Sequence, residues 1–333
     1  MEYSAFGNSG MSWSRFCLGG MTLGGQLDVD ASRRVVDEAI DHGVNCIDTA
    51  DSYGVSEETL GQVLSKEKRE RVFLATKVFR RFCRDEHLGR NSRVNIINSL
   101  ERSLRLLKTD YVDLYQLHHP DDETPAQETL ATLDMLAKQG KIRYAGMSNH
   151  YAWQMAYMLG ECKVHGWEPF VSLQAHYNMI DRQIERESVA FCRKFDIALM
   201  CWGPLAGGIL TGKYHGPGGI PEGSRASTLG GYLIPHIEDE TVKATVRELG
   251  AIANELGLGM NQTAILWLKA KPCATTIILG GSRPEHFTQI YDVADAELPA
   301  EAVDRLDAIS APRVYTPFMN QPIENGPGLS GTR

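Results

Sequence analysis

The sequence predicts an α/β chain folded as a single (β/α)8 TIM barrel, and three observations carry that expectation. Short aliphatic and β-branched runs alternate with amphipathic helical segments about eight times, the pattern of a parallel sheet with helical crossovers. Many of these runs end in polar, chemically active residues, as strands do at the face of a barrel where its loops meet. An open nucleotide-binding sheet would need a G-x-G-x-x-G turn opening a helix. Residues 18–25 are rich in glycine, but the spacing is absent and no helix starts inside them.

In chain order, residues 1–20 read as a small hairpin around Gly7, Gly10 and Gly19-Gly20, leading to a first barrel strand near 15–18. Asp30 is expected to N-cap a helix with Val35, Val36, Ala39 and Ile40 on its buried face and Gly43 at its end. Strand 44–47 follows, then a helix capped by Ser56 with Leu60, Val63 and Leu64 on one face. Strand 72–76 carries Lys77 at its end. Helix 91–107, strand 111–117, helix 125–139, strand 142–147 and helix 151–159 continue the alternation. Strand 170–173, helix 183–194 and strand 197–201 come next. A glycine- and proline-rich loop spans 203–235. Helices 239–256 and 261–269, strand 275–279 and two further C-terminal helices complete the series. No linker or internal repeat divides residues 1–333, so one domain is expected, with 311–333 as a Pro-, Gly- and Asn-rich tail that wraps the surface or stays mobile.

Composition narrows the function classes. Hydrophobic residues make up 43% and charged residues 23% of the 333, enough apolar mass for a sizeable core. A net charge of −8 with no basic run argues against nucleic-acid binding. No apolar stretch is long enough to span a bilayer, and the N-terminus lacks the pattern of a signal peptide. Seven cysteines without metal or framework spacing fit reduced, buried thiols, so a cytoplasmic location is expected.

The residues just past the strand ends should converge. They are Asp48 and Tyr53, Lys77, His118, Ser148 and Asn149, Gln174, Trp202, and residues 280–283. A lysine beside a tyrosine lowers the phenol pKa, and an aspartate beside the lysine holds its charge. A histidine within hydrogen-bond reach can orient a carbonyl oxygen, and a tuned tyrosine can protonate one. Alone, Asp48 reads as a strand-end residue, Tyr53 as a rim aromatic and Trp202 as core; at successive strand ends they form one chemistry. The adjacent His118 and His119 invite a metal reading, but neighbours along a strand point to opposite sides and no carboxylate cluster accompanies them. No metal is expected, and His119 reads as a rim or substrate-pocket residue.

The motifs Ile47-Asp48-Thr49-Ala50 with Tyr53-Gly54, Ala75-Thr76-Lys77 and Asp113-Leu114-Tyr115-Gln116-Leu117-His118 resemble the aldo-keto reductases. So do Gly146-Met147-Ser148-Asn149, Gln174 and the run from Trp202 to Tyr214. The likeness spans roughly residues 1–310. Ile220-Pro221 and Ser224-Arg225-Ala226-Ser227 resemble most the branch that holds potassium-channel β subunits and related bacterial reductases.

The resemblance implies a catalytic set of Tyr53, Asp48, Lys77 and His118. It implies an NADP(H) cofactor, with NAD(H) as the alternative, and an aldehyde, ketone or sugar carbonyl, or the corresponding alcohol, as substrate. Ser148, Asn149 and Gln174 match nicotinamide carboxamide contacts, and Trp202 matches the aromatic that stacks on the ring. Gly20, Met21 and Asp48 join the cofactor contacts, as do Gly203, Pro204, Leu205, Ala206, Lys213 and Arg225 toward the phosphates. Gly280, Ser282 and Arg283 match the loop around the adenosine phosphate, where an arginine favours NADP. His286 and Gln289 fall at cofactor contacts on the adenine side, though they and Ile290 depart from the family's usual residues there; Gly203 stands where serine is common, and Trp202 stands where tyrosine is usual.

Lys213 and Arg225 read equally as solvated loop cations. Arg80, Arg81, Arg84 and Arg90 read as solvated charges, with Arg80 or Arg81 also a candidate attractor for an anionic substrate. Met21, Leu23, Phe79 and Phe82 are candidates for a pocket wall. The resemblance leaves the chain a monomer or a homo-oligomer. A cofactor-binding regulatory subunit with little turnover is the second reading, against which His118 speaks. A metal-dependent hydrolase is the third.

Overall fold

The computed structural model describes residues 1–78, 90–216, 218–228 and 230–312. Phe79, Arg80, Arg81, Phe82, Arg84 and the tail from 313 lie outside the described residues.

A two-stranded antiparallel hairpin, β1 (Tyr3–Ala5) and β2 (Ser12–Ser14), precedes the barrel. The barrel strands are β3 (Phe16–Gly19), β4 (Cys46–Asp48), β5 (Phe73–Val78), β6 (Val112–Leu117), β7 (Ile142–Ser148), β8 (Ser172–His176), β9 (Ala198–Trp202) and β10 (Thr276–Leu279). They run parallel in chain order, and β10 closes the ring against β3. The expected (β/α)8 barrel with its N-terminal hairpin is therefore the observed fold, and Glu285–Tyr291 and Ala300–Ile309 are the two C-terminal helices.

Each crossover helix turns an apolar stripe inward. In Arg93–Leu107 the buried positions include Ile96, Leu100, Leu104 and Leu107, a helical repeat that faces the sheet. The hairpin stoppers the end of the barrel where the strands begin. Phe6 and Trp13, both fully buried, stack with ring centroids 4.0 Å apart, among Cys17, Cys46, Ala75, Leu114, Val171 and Ala198. With that end filled, the chemistry collects at the other.

Register decides what meets there. Gly19 pairs with Asp48, Asp48 with Ala75, Lys77 with Gln116, Ser148 with Gln174 and His176 with Trp202. Side chains alternate across a strand, so matched positions deliver their polar groups to one interior layer.

Several local expectations change. Asp28, not Asp30, caps the first helix, Val29–Asp41, accepting from Ala31 N at 2.7 Å. Ser56 is the first residue of its helix rather than the cap. Its hydroxyl donates to Gly20 O (2.7 Å) and meets Thr49 Oγ1 (2.8 Å), so tertiary contacts claim it. The helix expected over 183–194 divides into a 3-10 turn, Gln183–Arg186, and the helix Ser188–Phe195. Tyr177 and Arg182 both grip Glu185 there, which tightens that turn. The loop expected over 203–235 contains a 3-10 segment, Ala206–Thr211, and the helices Arg225–Thr228 and Gly230–Glu238. Leu233 and Ile237 bury against the core, and that burial holds a helix despite Pro235 within it. The helix begun near residue 151 runs to His165 before Gly166 ends it in the left-handed region.

Candidate active site

Lys77 is the hub. Fully buried near the end of β5, its ammonium donates to Asp48 Oδ2 (2.5 Å), to Thr49 O (2.9 Å) and to the Tyr53 hydroxyl (3.4 Å). The other carboxylate oxygen, Asp48 Oδ1, accepts from Gln116 Nε2 (2.9 Å) and Gln174 Nε2 (2.8 Å). Gln174 Nε2 also reaches Gln116 Oε1 at 3.2 Å. A buried ion pair is stable when its remaining donors and acceptors are satisfied, and here strand neighbours supply them.

Tyr53 stands in the loop after β4, over this pair. Its ring lies edge-on to His118 with centroids 5.7 Å apart, and the Lys77 ammonium is 4.9 Å from the ring centre. Ser52 Oγ lies 3.4 Å from His118 Nδ1. Asn149, with φ of 61°, donates to His118 O (3.0 Å) and Ser148 Oγ (3.0 Å) and accepts from Trp202 Nε1 (3.1 Å). Ser148 Oγ donates to Gln174 O at 3.1 Å. A continuous hydrogen-bond path thus joins Tyr53, Lys77, Asp48, Gln174, Ser148, Asn149 and Trp202, and Asn149 extends it to the backbone of His118.

Electrostatics corrects one expectation. Burial pushes the Tyr53 phenol up, and the Lys77 cation pulls it down without winning, so the phenol keeps its proton above the ordinary tyrosine range. Burial alone would lower the Lys77 ammonium; Asp48 and Tyr53 more than offset it and raise it. Burial, with the Lys77 and His119 charges, drives His118 down to about 2, so its imidazole is neutral.

His118 and His119 do not point apart as strand neighbours would. β6 ends at Leu117, and the two rings stack with centroids 4.8 Å apart. Among the described residues, no three histidines, cysteines or carboxylates come together as a metal site.

The glycine-rich segment after β9 forms a second region. Gly203 has φ of 69°, and Ala206, Gly207 and Gly208 take φ of 48°, 66° and 97°, a left-handed run that curls the backbone. A Cβ on Gly208 would stand 2.7 Å from Lys213 Cε. Tyr214 OH donates to Gly207 O (3.0 Å) and accepts from Ala226 N (3.3 Å), tying the curl to the Arg225–Thr228 helix. Arg225 reaches across the mouth to Met21 Sδ (3.6 Å). Thr22 Oγ1 donates to Gly281 O (2.7 Å), joining the loops that hold Gly20 and residues 280–283. Arg283 lies 3.1 Å from His286 Nε2, and burial plus the Arg283 and Lys213 charges lower the His286 pKa. Lys213 and Arg283 therefore make one cationic patch with a neutral His286 within it. Gln289 turns elsewhere, its Oε1 accepting from Asn261 and its carbonyl from Gln262.

A family model described as the aldo/keto reductase family matches residues 15–311. The chain belongs to the aldo/keto reductase family. It is 30% identical over 323 residues to an uncharacterized oxidoreductase, YrpG, of Bacillus subtilis (strain 168), covering 93% of this chain and 96% of that protein. It is 29% identical to the versiconal hemiacetal acetate reductase of Aspergillus parasiticus, covering 95% and 99%. It is 33% identical to a probable voltage-gated potassium channel subunit beta of Arabidopsis thaliana, covering 89% and 92%. Aldo-keto reductases are oxidoreductases that act on small carbonyl compounds with a nicotinamide dinucleotide. Among the described residues, no helix is long and apolar enough to cross a membrane.

Sequence reasoning missed Gln116. Its signal was available: a polar amide near the end of a strand that reads as buried, two positions before His118. It also missed His176, which packs on Trp202, and Asn178 and Asp181, which hydrogen-bond His176.

Proposed function

We propose that this aldo-keto reductase is an NADP(H)-dependent carbonyl reductase in which Tyr53 supplies the proton. The supporting observation is the Lys77 ammonium, buried between the Asp48 carboxylate and the Tyr53 hydroxyl. A reduced nicotinamide, when bound, supplies the hydride that reaches the carbonyl carbon. Tyr53 then gives its proton to the carbonyl oxygen, whose C–O π electrons form the new O–H bond, and the phenolate left behind faces the Lys77 cation. Asp48 keeps Lys77 charged and placed; Gln116 and Gln174 keep Asp48 placed. Neutral His118, with Nδ1 toward Ser52, would orient the same oxygen through its Nε2–H. The reverse oxidation of an alcohol uses the same groups.

The donor set fits a nicotinamide dinucleotide. Ser148, Asn149 and Gln174 lie in one hydrogen-bonded row beside Trp202, suited to a carboxamide and a stacked ring. The left-handed curl at 206–208 beside Lys213 suits a pyrophosphate. The patch of Lys213, Arg283 and His286 favours an adenosine 2′-phosphate, hence NADP over NAD. The test is loss of NADPH absorbance with a panel of aldehydes, ketones and sugars, with NADH in parallel. Turnover with NADPH is expected. Tight NADPH binding with no turnover across the panel would instead favour a regulatory role, the reading that the channel-subunit relatives support.

A further inference from the structure

His176 takes no part in the proton path, yet it is among the most fully hydrogen-bonded side chains near it. Its Nδ1 lies 2.8 Å from Asp181 Oδ2, and its Nε2 lies 3.1 Å from Asn178 Nδ2. Asn178 is itself locked. Its Oδ1 accepts from Ile180 N and Asp181 N, both at 3.0 Å, and its Nδ2 donates to Gly203 O at 2.9 Å. The amide cannot turn over without losing those bonds, so Nδ2 must face His176 and Nε2 must accept. The imidazole is thereby held as the Nδ1–H tautomer, donating to Asp181. Asp181 responds: the hydrogen bond from His176 lowers its carboxyl pKa.

This fixed ring lies against Trp202, centroids 4.2 Å apart and planes tilted by 32°. The indole is pinned a second time by Nε1–H to Asn149 Oδ1. Gly203, next in the chain, has φ of 69°, and a Cβ there would stand 2.6 Å from His176 Cδ2 and 2.7 Å from Nε2. The close approach of His176 to the Trp202-Gly203 backbone is thus built in.

We infer that His176, held by Asp181 and Asn178, is a positioning residue for Trp202. It backs one face of the indole and leaves the opposite face alone to receive a nicotinamide. The inference deepens the cofactor reading above and rests on it for the identity of the ring that stacks there. The step is mechanical: an indole supported on one side and hydrogen-bonded at its edge loses little freedom when a second ring docks, so His176 contributes to affinity without touching the cofactor.

The test uses the full chain and three probes: NADPH, 2′-phosphoadenosine diphosphoribose (which lacks the nicotinamide) and acrylamide as a quencher of tryptophan fluorescence. Trp202→Phe identifies the Trp202 share of the signal. His176→Ala is expected to weaken NADPH roughly three- to tenfold, leave the nicotinamide-free fragment unchanged, and open Trp202 to acrylamide. His176→Phe, which keeps a ring, is expected to restore most of the NADPH affinity. Gly203→Ala is expected to mimic His176→Ala and to add less in its background than alone, since both act through one contact.

Equal weakening of NADPH and the fragment would overturn the inference, because it would mean a general structural role. Tighter NADPH binding in His176→Ala would overturn it too, because the imidazole would then occupy the nicotinamide's place. If the wild-type chain does not bind NADPH, the cofactor reading fails separately. Acrylamide access to Trp202 in the free protein still decides the clamp: greater access in His176→Ala supports it, and unchanged access ends it.

Discussion

The two halves of the barrel mouth are built on opposite plans. Around Lys77, every charge is buried and matched: Asp48, Thr49, Tyr53, Gln116 and Gln174 close a network on strand ends whose register leaves little freedom. Around the glycine-rich segment, the cations Lys213, Arg225 and Arg283 sit on loops and short helices. Arg225 and Arg283 are exposed, meeting a thioether and a neutral imidazole rather than carboxylates. The first half is organised before any ligand arrives, as the proposed proton donor requires. The second carries positive charge without a carboxylate on Arg225 or Arg283, as the proposed cofactor-phosphate site requires. The contrast teaches where a substitution should strike chemistry and where it should strike binding.

The sharpest break comes at Tyr53. Tyr53→Phe should lower kcat by about 10²–10⁴-fold while NADPH affinity stays nearly intact; steady-state kinetics beside a binding titration checks both, and lost binding would make the tyrosine structural. Next, Asp48→Asn strands the fully buried Lys77 ammonium and should destabilise the fold by about 3–5 kcal/mol. Urea denaturation measures this. Adding Lys77→Met should return most of the stability and none of the turnover.

On the other half, Arg283→Ala should weaken NADPH roughly ten- to a hundredfold with no loss of stability and little change for NADH. Equal losses for both cofactors would place Arg283 away from the 2′-phosphate. The mildest effects are those of pH. His118 titrates at about 2 in the fold, below its ordinary value of about 6.5, so the unfolded chain binds more protons between those values. Stability should therefore fall as pH drops below about 6.5, and His118→Gln should flatten that fall in acid denaturation curves. At the alkaline end Tyr53 and Lys77 are both raised, so the folded chain holds protons that the unfolded chain releases. Their linkage lowers stability only above about pH 10, and the Tyr53 phenol keeps its proton up to that limit.

The half around Lys77 was legible in the sequence because most of it lies in regular structure. Asp48, Lys77 and His118 fall at or next to strand ends, and a barrel brings such positions together whatever else varies; Gln174, expected just past its strand, lies instead in the middle of β8. Gln116 was overlooked because its strand reads as buried, and only the Asp48 carboxylate explains a polar group there. The glycine-rich half was less legible. Residues 203–235 have loop composition, yet burial of Leu233 and Ile237 makes helix of the segment's end. Ser56 and Asp30 have capping chemistry, but Gly20 and Thr49 engage the first while Asp28 precedes the second. Arg80 and Arg81 lie outside the described residues.

By itself, the sequence determined the periodicities: about eight aliphatic runs, the helices between them, and chemically active residues where the runs end. Those are local properties, set by side-chain spacing along the chain. Tertiary structure alone decided which partners those residues meet and what their protons do. Closure of the ring through β10 and β3, and the pairing of Lys77 with Gln116 and of His176 with Trp202, are contacts between distant segments. The direction of the Tyr53 shift follows from the same source. The sequence offered a lysine that would lower the phenol, whereas the folded barrel buries the phenol, and desolvation outweighs the cation beside it.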